Sequence, residues 1–317
     1  MLELRILKTI QFFHLQDIAP TAFEIYKYLL TRTEDLASSL DEDFNLISTN
    51  APPASHVPFG AILQALIRLT AEKKVACVFG TYVLPEHASL APARISGYVY
   101  GIARERRIRR FLRWLRFVPF IRAVSVGGSQ ALGLQTEKSD IDLVIITHSG
   151  FLWLARIFSH ILFDGLLMCR HGQRIENRFC LNHYIAGTKL IDEERNLLRA
   201  FQYVRMRPVF GIKIFTEFLI KNQNWLRLYF PNWYHISFKS LQAESQAIHA
   251  PGGVQGLIEK IFDNPVGLYI ENMVGRWQLE RIKRGNFSVA EPSELALHST
   301  DLKYAILETY YNRHKTP

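Results

Sequence analysis

The sequence predicts a mixed α+β protein in which helices cover a central sheet. Three observations predict this class. Residues 1–92 show helical apolar spacing that ends in an alternating hairpin pattern, residues 93–190 alternate short strands with helical segments, and residues 191–317 are mainly helical with breaks at prolines. We take these three ranges as the predicted domains.

The composition is that of an ordinary globular protein with an excess of positive charge. Of the 317 residues, 48% are hydrophobic and 21% charged, which excludes a disordered chain. The net charge of +9 favours an anionic partner such as a nucleotide, a nucleic acid or an acidic surface. Charge alone does not choose among these partners.

The cysteines and the first residues indicate a reducing, cytoplasmic location. Cys77, Cys169 and Cys180 are scattered and form no C-x-x-C motif, so they predict buried thiols rather than disulfides or a zinc site. The opening stretch MLELRILK is charged and predicts no signal peptide.

Residues 1–92 predict three helices and a two-stranded hairpin. Thr21 and Glu24 have the spacing of a capping box, and Gly80 lies at the centre of the hairpin pattern, after a long polar loop at 32–57. This order resembles a winged helix, which would bind nucleic acid through its third helix. Because that helix exposes few basic residues, a docking or scaffold domain is an equally open interpretation.

An arginine-rich helix is predicted between residues 94 and 116. Its apolar residues repeat at helical spacing, which predicts an arginine-rich outer face. That face is either simply solvated or a basic wall near a phosphate-bearing ligand, RNA or DNA. The arginines are Arg94, Arg104, Arg106, Arg107, Arg109, Arg110, Arg113 and Arg116.

The following segment alternates strands and helices. Residues 121–126, 141–147 and 178–187 predict strands. The apolar segment 151–169 has the length of a membrane span, but it contains Arg156, His160 and Asp164, whose burial in lipid would be costly. We therefore predict a buried helix that covers the sheet, and no membrane partner.

A glycine turn and an aspartate pair carry the chemistry of this segment. Gly127 and Gly128 follow a strand, so backbone amides and the hydroxyl of Ser129 could hold phosphate oxygens there. Asp140 and Asp142 sit two residues apart at a strand entrance, so their carboxylates share one face and repel each other. A divalent cation such as Mg²⁺ relieves this repulsion.

The pattern resembles the signature of the DNA polymerase beta-like nucleotidyltransferase superfamily over roughly residues 100–190. The residues that carry the resemblance are Val126, Gly128, Ser129, Ser139, Asp140, Ile141, Asp142 and Leu143. The resemblance implies a nucleoside triphosphate on the turn and Mg²⁺ (or Mn²⁺) on the two aspartates. It also implies transfer of a nucleoside monophosphate to an acceptor hydroxyl, amine or phosphate. More loosely, the chain resembles bacterial nucleotidyltransferase-domain proteins of unsettled substrate.

One position departs from the family pattern. Many active relatives carry a third carboxylate on the next strand, where this chain has Asn182 beside His183. Asn182 could offer an oxygen to the nucleotide or cation site, and His183 could act as the base. Three functions stay open: a transferase acting on a small molecule, a protein or RNA; a non-catalytic nucleotide- or nucleic-acid-binding regulator; and a scaffold.

An apolar stripe near the C-terminus predicts a buried helix face. Val266, Tyr269, Ile270, Met273 and Trp277 recur at helical spacing. We expect this stripe to pack in the core, because such stripes usually do.

Overall fold

The computed structural model describes most of the chain. The described residues are 2–31, 56–132, 135–136, 139–170, 176–190, 195–235, 253–283, 289–290 and 293–296. Most of the loop predicted at 32–57 lies outside them.

The N-terminal unit has the predicted order of elements, namely α1 (Leu2–His14), α2 (Ala22–Lys27), α3 (Phe59–Ala71), β1 (Ala76–Val78) and β2 (Thr81–Val83). The capping box is confirmed, because Glu24 N donates to Thr21 Oγ1 and Thr21 N donates to the Glu24 carboxylate. The hairpin turns at Phe79 and Gly80, which both have positive φ. The identity of this unit as a winged helix stays a prediction.

The arginine-rich helix, α4, spans Leu90–Leu112 and continues as a 3-10 turn, Arg113–Phe117. Its predicted arginine-rich outer face is only partly correct, because two of its arginines are buried. Arg94 pairs with Glu24 at 2.5 Å, and Arg104 is 5% exposed. Arg106, Arg107, Arg109 and Arg110 are exposed. Helical spacing marked the apolar stripe correctly, but it could not show that α4 also meets acidic groups on other elements.

The central sheet consists of six strands in the described residues: β3 (Ile121–Val126), β4 (Ile141–Thr147), β5 (Phe179–Ala186), β6 (Arg207–Phe210), β7 (Val289–Ala290) and β8 (Glu294–Ala296). Their order is β6-β3-β4-β5-β8-β7, with β4 and β5 parallel and the other pairs antiparallel. The three strands predicted at 121–187 are confirmed.

The C-terminal region is not purely helical, because β6, β7 and β8 extend the sheet at both edges. These strands are two to four residues long. In the sequence, Pro208 of β6 indicated a break between helices rather than a strand. Pairing with the long central strands, rather than local pattern, determines that they are strands.

Helices cover both faces of the sheet: α5 (Gly128–Leu132), α6 (Leu152–Gly165), α7 (Leu197–Arg205), α8 (Ile212–Tyr229), α9 (Pro231–Trp233), α10 (Val254–Phe262) and α11 (Pro265–Lys283). Helix α6 shares one core with α4, as Phe163 and Ile108 show, so it is the predicted buried helix. Across the parts of the chain that the structure describes, no helix has both the length and the apolarity that crossing a membrane requires.

The opposite face joins the N-terminal unit to α7, α8 and α9. The rings of Phe12 and Phe201 lie 5.0 Å apart edge to face within this core. Asn232, fully buried, donates to the carbonyl of Tyr26 at 2.8 Å and accepts from Val57 N at 3.0 Å. The N-terminal unit is therefore packed and hydrogen-bonded against the rest of the described chain.

The predicted packing of the C-terminal apolar stripe is wrong. Four of its five residues, Val266, Tyr269, Met273 and Trp277, are more than half exposed. Helix α11 instead buries Glu271, whose carboxylate accepts from the backbone N–H groups of Trp153 and Leu154 at 2.7 and 2.8 Å. Because these groups begin α6, capping of that helix determines which face of α11 turns inward.

Candidate nucleotide and metal site

The glycine turn and the aspartate pair are in direct contact. Gly127 N donates to the carbonyl of Asp142 at 3.0 Å, which fixes the turn beside the start of β4. Gly128 has φ +57°, and a Cβ on it would lie 1.9 Å from Asp142 Oδ2. Glycine is favoured here, because a side chain would strain the left-handed backbone and would displace the Asp142 carboxylate. Ser129 follows Gly128 in the first turn of α5, and its side chain lies outside the described part.

Asp140 and Asp142 converge as their spacing predicted, together with a third group. Single donor atoms of Asp140, Asp142 and Cys180 all lie within 4.8 Å of one another. Asp142 is in β4 and Asp140 directly precedes it. The group of candidate metal ligands therefore consists of two carboxylates and one thiol.

Strand register explains why Cys180, rather than Asn182, meets the pair. In the parallel pairing of β4 and β5, Asp142 lies opposite Cys180 and Val144 lies opposite His183. One residue of β4 thus faces two of β5, as in a β-bulge, and Asn182 is one of those two. The sequence could not show this register shift, since β5 has no glycine or proline to mark it. A nucleotide-binding role for Asn182 stays a prediction.

The electrostatics of the pair favour binding of a cation. Burial, followed by the negative charge of Asp140, raises the pKa of Asp142 to about 6. A hydrogen bond from Cys180 and the charges of Arg170 and Arg205 only partly oppose this shift. Burial and the same two carboxylates raise the pKa of the Cys180 thiol. Added positive charge would therefore favour the deprotonated forms of both groups.

Three arginines from separate elements surround the aspartates. Arg170 Nη1 donates to Asp140 Oδ2 at 2.6 Å. Arg104 of α4 is buried and lies close enough to Asp140 for that carboxylate to favour its charged form, although burial lowers its pKa. Burial lowers the pKa of Arg205, at the end of α7, to about 10, while Tyr28, Glu24 and Asp142 favour its charged form. A triphosphate would meet this positive charge beside the carboxylates.

Two residues between Gly128 and Asp140, Gln130 of α5 and Gln135, were not identified by sequence analysis. Gln135 is 1% exposed, and among the described residues neither polar atom of its side chain has a hydrogen-bond partner. The same holds for Oε1 of Gln130, in α5. A buried amide without a partner calls for an explanation such as a bound ligand, ion or water, and a single glutamine carries no signal of this in the sequence. Ser139 stabilises the loop, since its Oγ accepts from Thr136 N at 3.0 Å.

His183 lies on the same face of the sheet as the aspartate pair, three residues beyond Cys180 on β5. Its Nε2 is 3.3 Å from Glu294 Oε1, and its ring is 1% exposed. Burial alone would raise the pKa of Glu294, but the hydrogen bond from His183 and the charge of Arg199, with a contribution from Lys189, lower it to about 2. A base role for His183 stays a prediction. Its contacts place it in a buried ionic cluster.

The residues present fit a divalent cation. Two carboxylates and a thiol converge, and the missing Cβ of Gly128 leaves the carboxylate of Asp142 in direct contact with the turn. Hard oxygen donors suit Mg²⁺ or Mn²⁺, whereas the sulfur suits softer ions and is a weak ligand for Mg²⁺.

Comparison with known proteins supports this interpretation. Residues 105–179, which include the turn, the aspartate pair and α6, match the family model described as "Nucleotidyltransferase domain". The match covers less than a quarter of the 317 residues. Neither a curated protein nor a solved structure shows significant similarity to the chain.

Replacing Gly128 should displace the Asp142 carboxylate as well as disturb the turn. We expect Gly128→Ala to weaken Mn²⁺ binding by about tenfold or more, because the new methyl displaces the Asp142 carboxylate and left-handed backbone costs alanine ~1 kcal/mol or more. Isothermal titration measures this. Gly127→Ala is the matched control, because its Cβ would have Val144 Cγ2 as nearest neighbour at 3.9 Å. Equal affinity in both variants would contradict the assigned contact.

Cation binding should depend on pH through Asp142. Since the pKa of Asp142 is raised to about 6, protonation competes with the cation below that pH. We expect Mn²⁺ affinity to fall by roughly fivefold between pH 6 and pH 5 and to level off above pH 7. Titrations across this range measure the effect. Asp142→Asn should bind weakly and lack this step, and a wild-type affinity that is flat from pH 5 to 7 would disprove the explanation.

Proposed function

We propose, on the premise that residues 105–179 form a nucleotidyltransferase domain of the polymerase beta-like superfamily, that the chain transfers a nucleoside monophosphate from an NTP to an acceptor. The acceptor is a hydroxyl, amine or phosphate of a small molecule, a protein or RNA. The observation that carries the proposal is the contact between Gly128 and the Asp142 carboxylate, which unites the phosphate turn with the cation ligands.

The residues have separate roles in this proposal. The backbone of Gly127 and Gly128, with the hydroxyls of Ser129 and Ser139 as predicted contacts, orients the triphosphate. Asp140 and Asp142 hold Mg²⁺ or Mn²⁺, which when bound would stabilise negative charge on the attacking and leaving oxygens.

The arginines and the buried amides serve binding rather than covalent chemistry. Arg104 and Arg205 provide fixed positive charge for the phosphates, since both are held by burial and by acidic neighbours. Arg170 contacts Asp140 and could turn to a phosphate if a cation were bound by that carboxylate instead. Gln130 and Gln135 supply amide groups that a nucleotide could satisfy.

The reaction forms one bond and breaks one. The acceptor atom bonds to the α-phosphorus, the bond from that phosphorus to the bridging oxygen breaks, and pyrophosphate takes the electron pair. The acceptor proton needs a base. His183 is the predicted one, but a ring that is 1% exposed and bonded to Glu294 better supports a positioning role beneath the site.

One observation favours the alternative of a non-catalytic regulator. Cys180, a neutral thiol with a raised pKa, lies opposite Asp142 on β5, and Asn182 stands where the resemblance implies a third carboxylate in active relatives. Such a site could bind NTP without turning it over. The free cysteines fit a reducing, cytoplasmic location under either function.

Label transfer tests the proposed activity. The protein is incubated with each α-³²P-labelled NTP, Mg²⁺ or Mn²⁺ and a cell extract, and transferred label is measured. We expect transfer to fall by at least about a hundredfold in Asp140→Asn and Asp142→Asn, because both remove charge that the reaction needs. Asp263→Asn, at an exposed aspartate that ends α10, is the matched control. NTP binding without transfer to any acceptor would support the regulator, and absence of NTP binding would sink both.

Restoring a carboxylate on β5 should increase turnover. We expect Cys180→Asp to raise the rate of label transfer by about tenfold or more with Mg²⁺, because a third oxygen ligand suits a hard cation better than sulfur does. Without metal the same variant should melt at a lower temperature, since three carboxylates then repel one another. Cys180→Ser is the control that removes sulfur without adding charge. A rate in Cys180→Asp no higher than in Cys180→Ser would show that a third carboxylate does not help the reaction, and would contradict this expectation.

A further inference from the structure

A second group of metal-type donors lies outside the proposed nucleotide site. His160 and Asp164 are four residues apart on α6 and so share one face of that helix. Beyond the end of α6, Leu167 adopts φ +54° and Met168 N donates to the carbonyl of Phe163 at 2.8 Å. This reversal returns Cys169 to the face that carries His160 and Asp164.

The donor atoms of His160, Asp164 and Cys169 match the dimensions of a small metal site. All three lie within 4.8 Å of one another, and His160 Nδ1 is 3.6 Å from Cys169 Sγ. Tetrahedral zinc, with Zn–N near 2.0 Å and Zn–S near 2.3 Å, places such a nitrogen and sulfur about 3.6 Å apart. The thiol also hydrogen-bonds to the Asp164 carboxylate, so this proton is the one that a metal would displace.

The backbone holds Cys169 on a fixed support. Phe179 N donates to the carbonyl of Met168 at 2.9 Å, and Arg170 N donates to the carbonyl of Phe179 at 3.1 Å. These two bonds pair Cys169 with the first residue of β5 in a parallel bridge. The three donors therefore come from a helix and from a segment tied to the central sheet, which is the rigidity that a metal site needs.

We propose that His160, Asp164 and Cys169 bind Zn²⁺, with a water or an additional ligand in the fourth position. Imidazole nitrogen, carboxylate oxygen and thiolate sulfur together suit zinc better than Mg²⁺ or Ca²⁺. Loss of the thiol proton gives two negative charges, which balance the charge of the ion. A cysteine nucleophile is disfavoured, because Cys169 is 4% exposed and no substrate could reach it.

The sequence argued against a zinc site because the cysteines form no C-x-x-C motif. The proposed ligands use a different spacing, in which a helical i,i+4 pair is completed by one cysteine after a chain reversal. This site does not depend on the proposed transferase activity. It would nevertheless affect the nucleotide site, because Arg170, which contacts Asp140 at 2.6 Å, directly follows Cys169.

Zinc content tests the proposal on the full chain. The protein is stripped with a chelator, equilibrated with Zn²⁺ and passed through a desalting column, and bound metal is measured by mass spectrometry. We expect about one zinc per chain to be lost in His160→Asn and in Cys169→Ser, since each removes one of three ligands. With Co²⁺ in place of zinc, the wild type should show a thiolate-to-metal charge-transfer band that Cys169→Ser lacks.

Matched variants separate this site from the other cysteines and from the aspartate pair. Cys77→Ser, at an exposed cysteine of β1, and Cys180→Ser combined with Asp142→Asn should both keep this zinc and the cobalt band. Zinc should also raise the melting temperature of the stripped wild type but not that of Cys169→Ser. Equal zinc content in wild type and Cys169→Ser, or loss of the band only in the Cys180 variant, would overturn the proposal while leaving the transferase hypothesis intact.

Discussion

The contact between Gly128 and the Asp142 carboxylate is the constraint on which the candidate site depends. Because Gly128 has no side chain and adopts positive φ, the carboxylate can lie where any Cβ would be. The bond from Gly127 N to the Asp142 carbonyl fixes the same two segments through their backbones. Strands β3 and β4 pair antiparallel just behind this contact, so the turn and the acids form one rigid unit. A site that must hold phosphate and cation together requires this rigidity.

Interactions between the aspartates and arginines connect this unit to other parts of the chain. The half-buried aspartates are offset by Arg104, Arg170 and Arg205, which come from three separate parts of the chain. Arg205 also interacts electrostatically with Glu24 and Tyr28 of the N-terminal unit. Together with the shared aromatic core, this connects the N-terminal unit to the aspartates electrostatically and by packing.

The segment from α6 to β5 connects the two groups of donors. Residues 168–170 pair with Phe179, so Cys169 and Arg170 are held beside the strand that carries Cys180. Helix α6 is in turn fixed at its start by Glu271 of α11. The polar face of α11 is therefore needed for capping, and its apolar stripe is left at the surface. The same packing positions one donor group and exposes Tyr269 and Trp277.

The sequence by itself determined the fold class, the three strands between 121 and 187, the buried helix α6 and the convergence of Asp140 with Asp142. These follow from local periodicity and from the two-residue repeat of a strand, which short segments already contain. Only the tertiary structure brought Cys180 to the aspartates, added β6, β7 and β8 to the sheet, buried Arg94 and Arg104, and turned the stripe of α11 outward. Each of these depends on strand pairing or on a charged group distant in the chain. Neither leaves a periodic signal, because the free energy comes from pairing between segments rather than from the segments themselves.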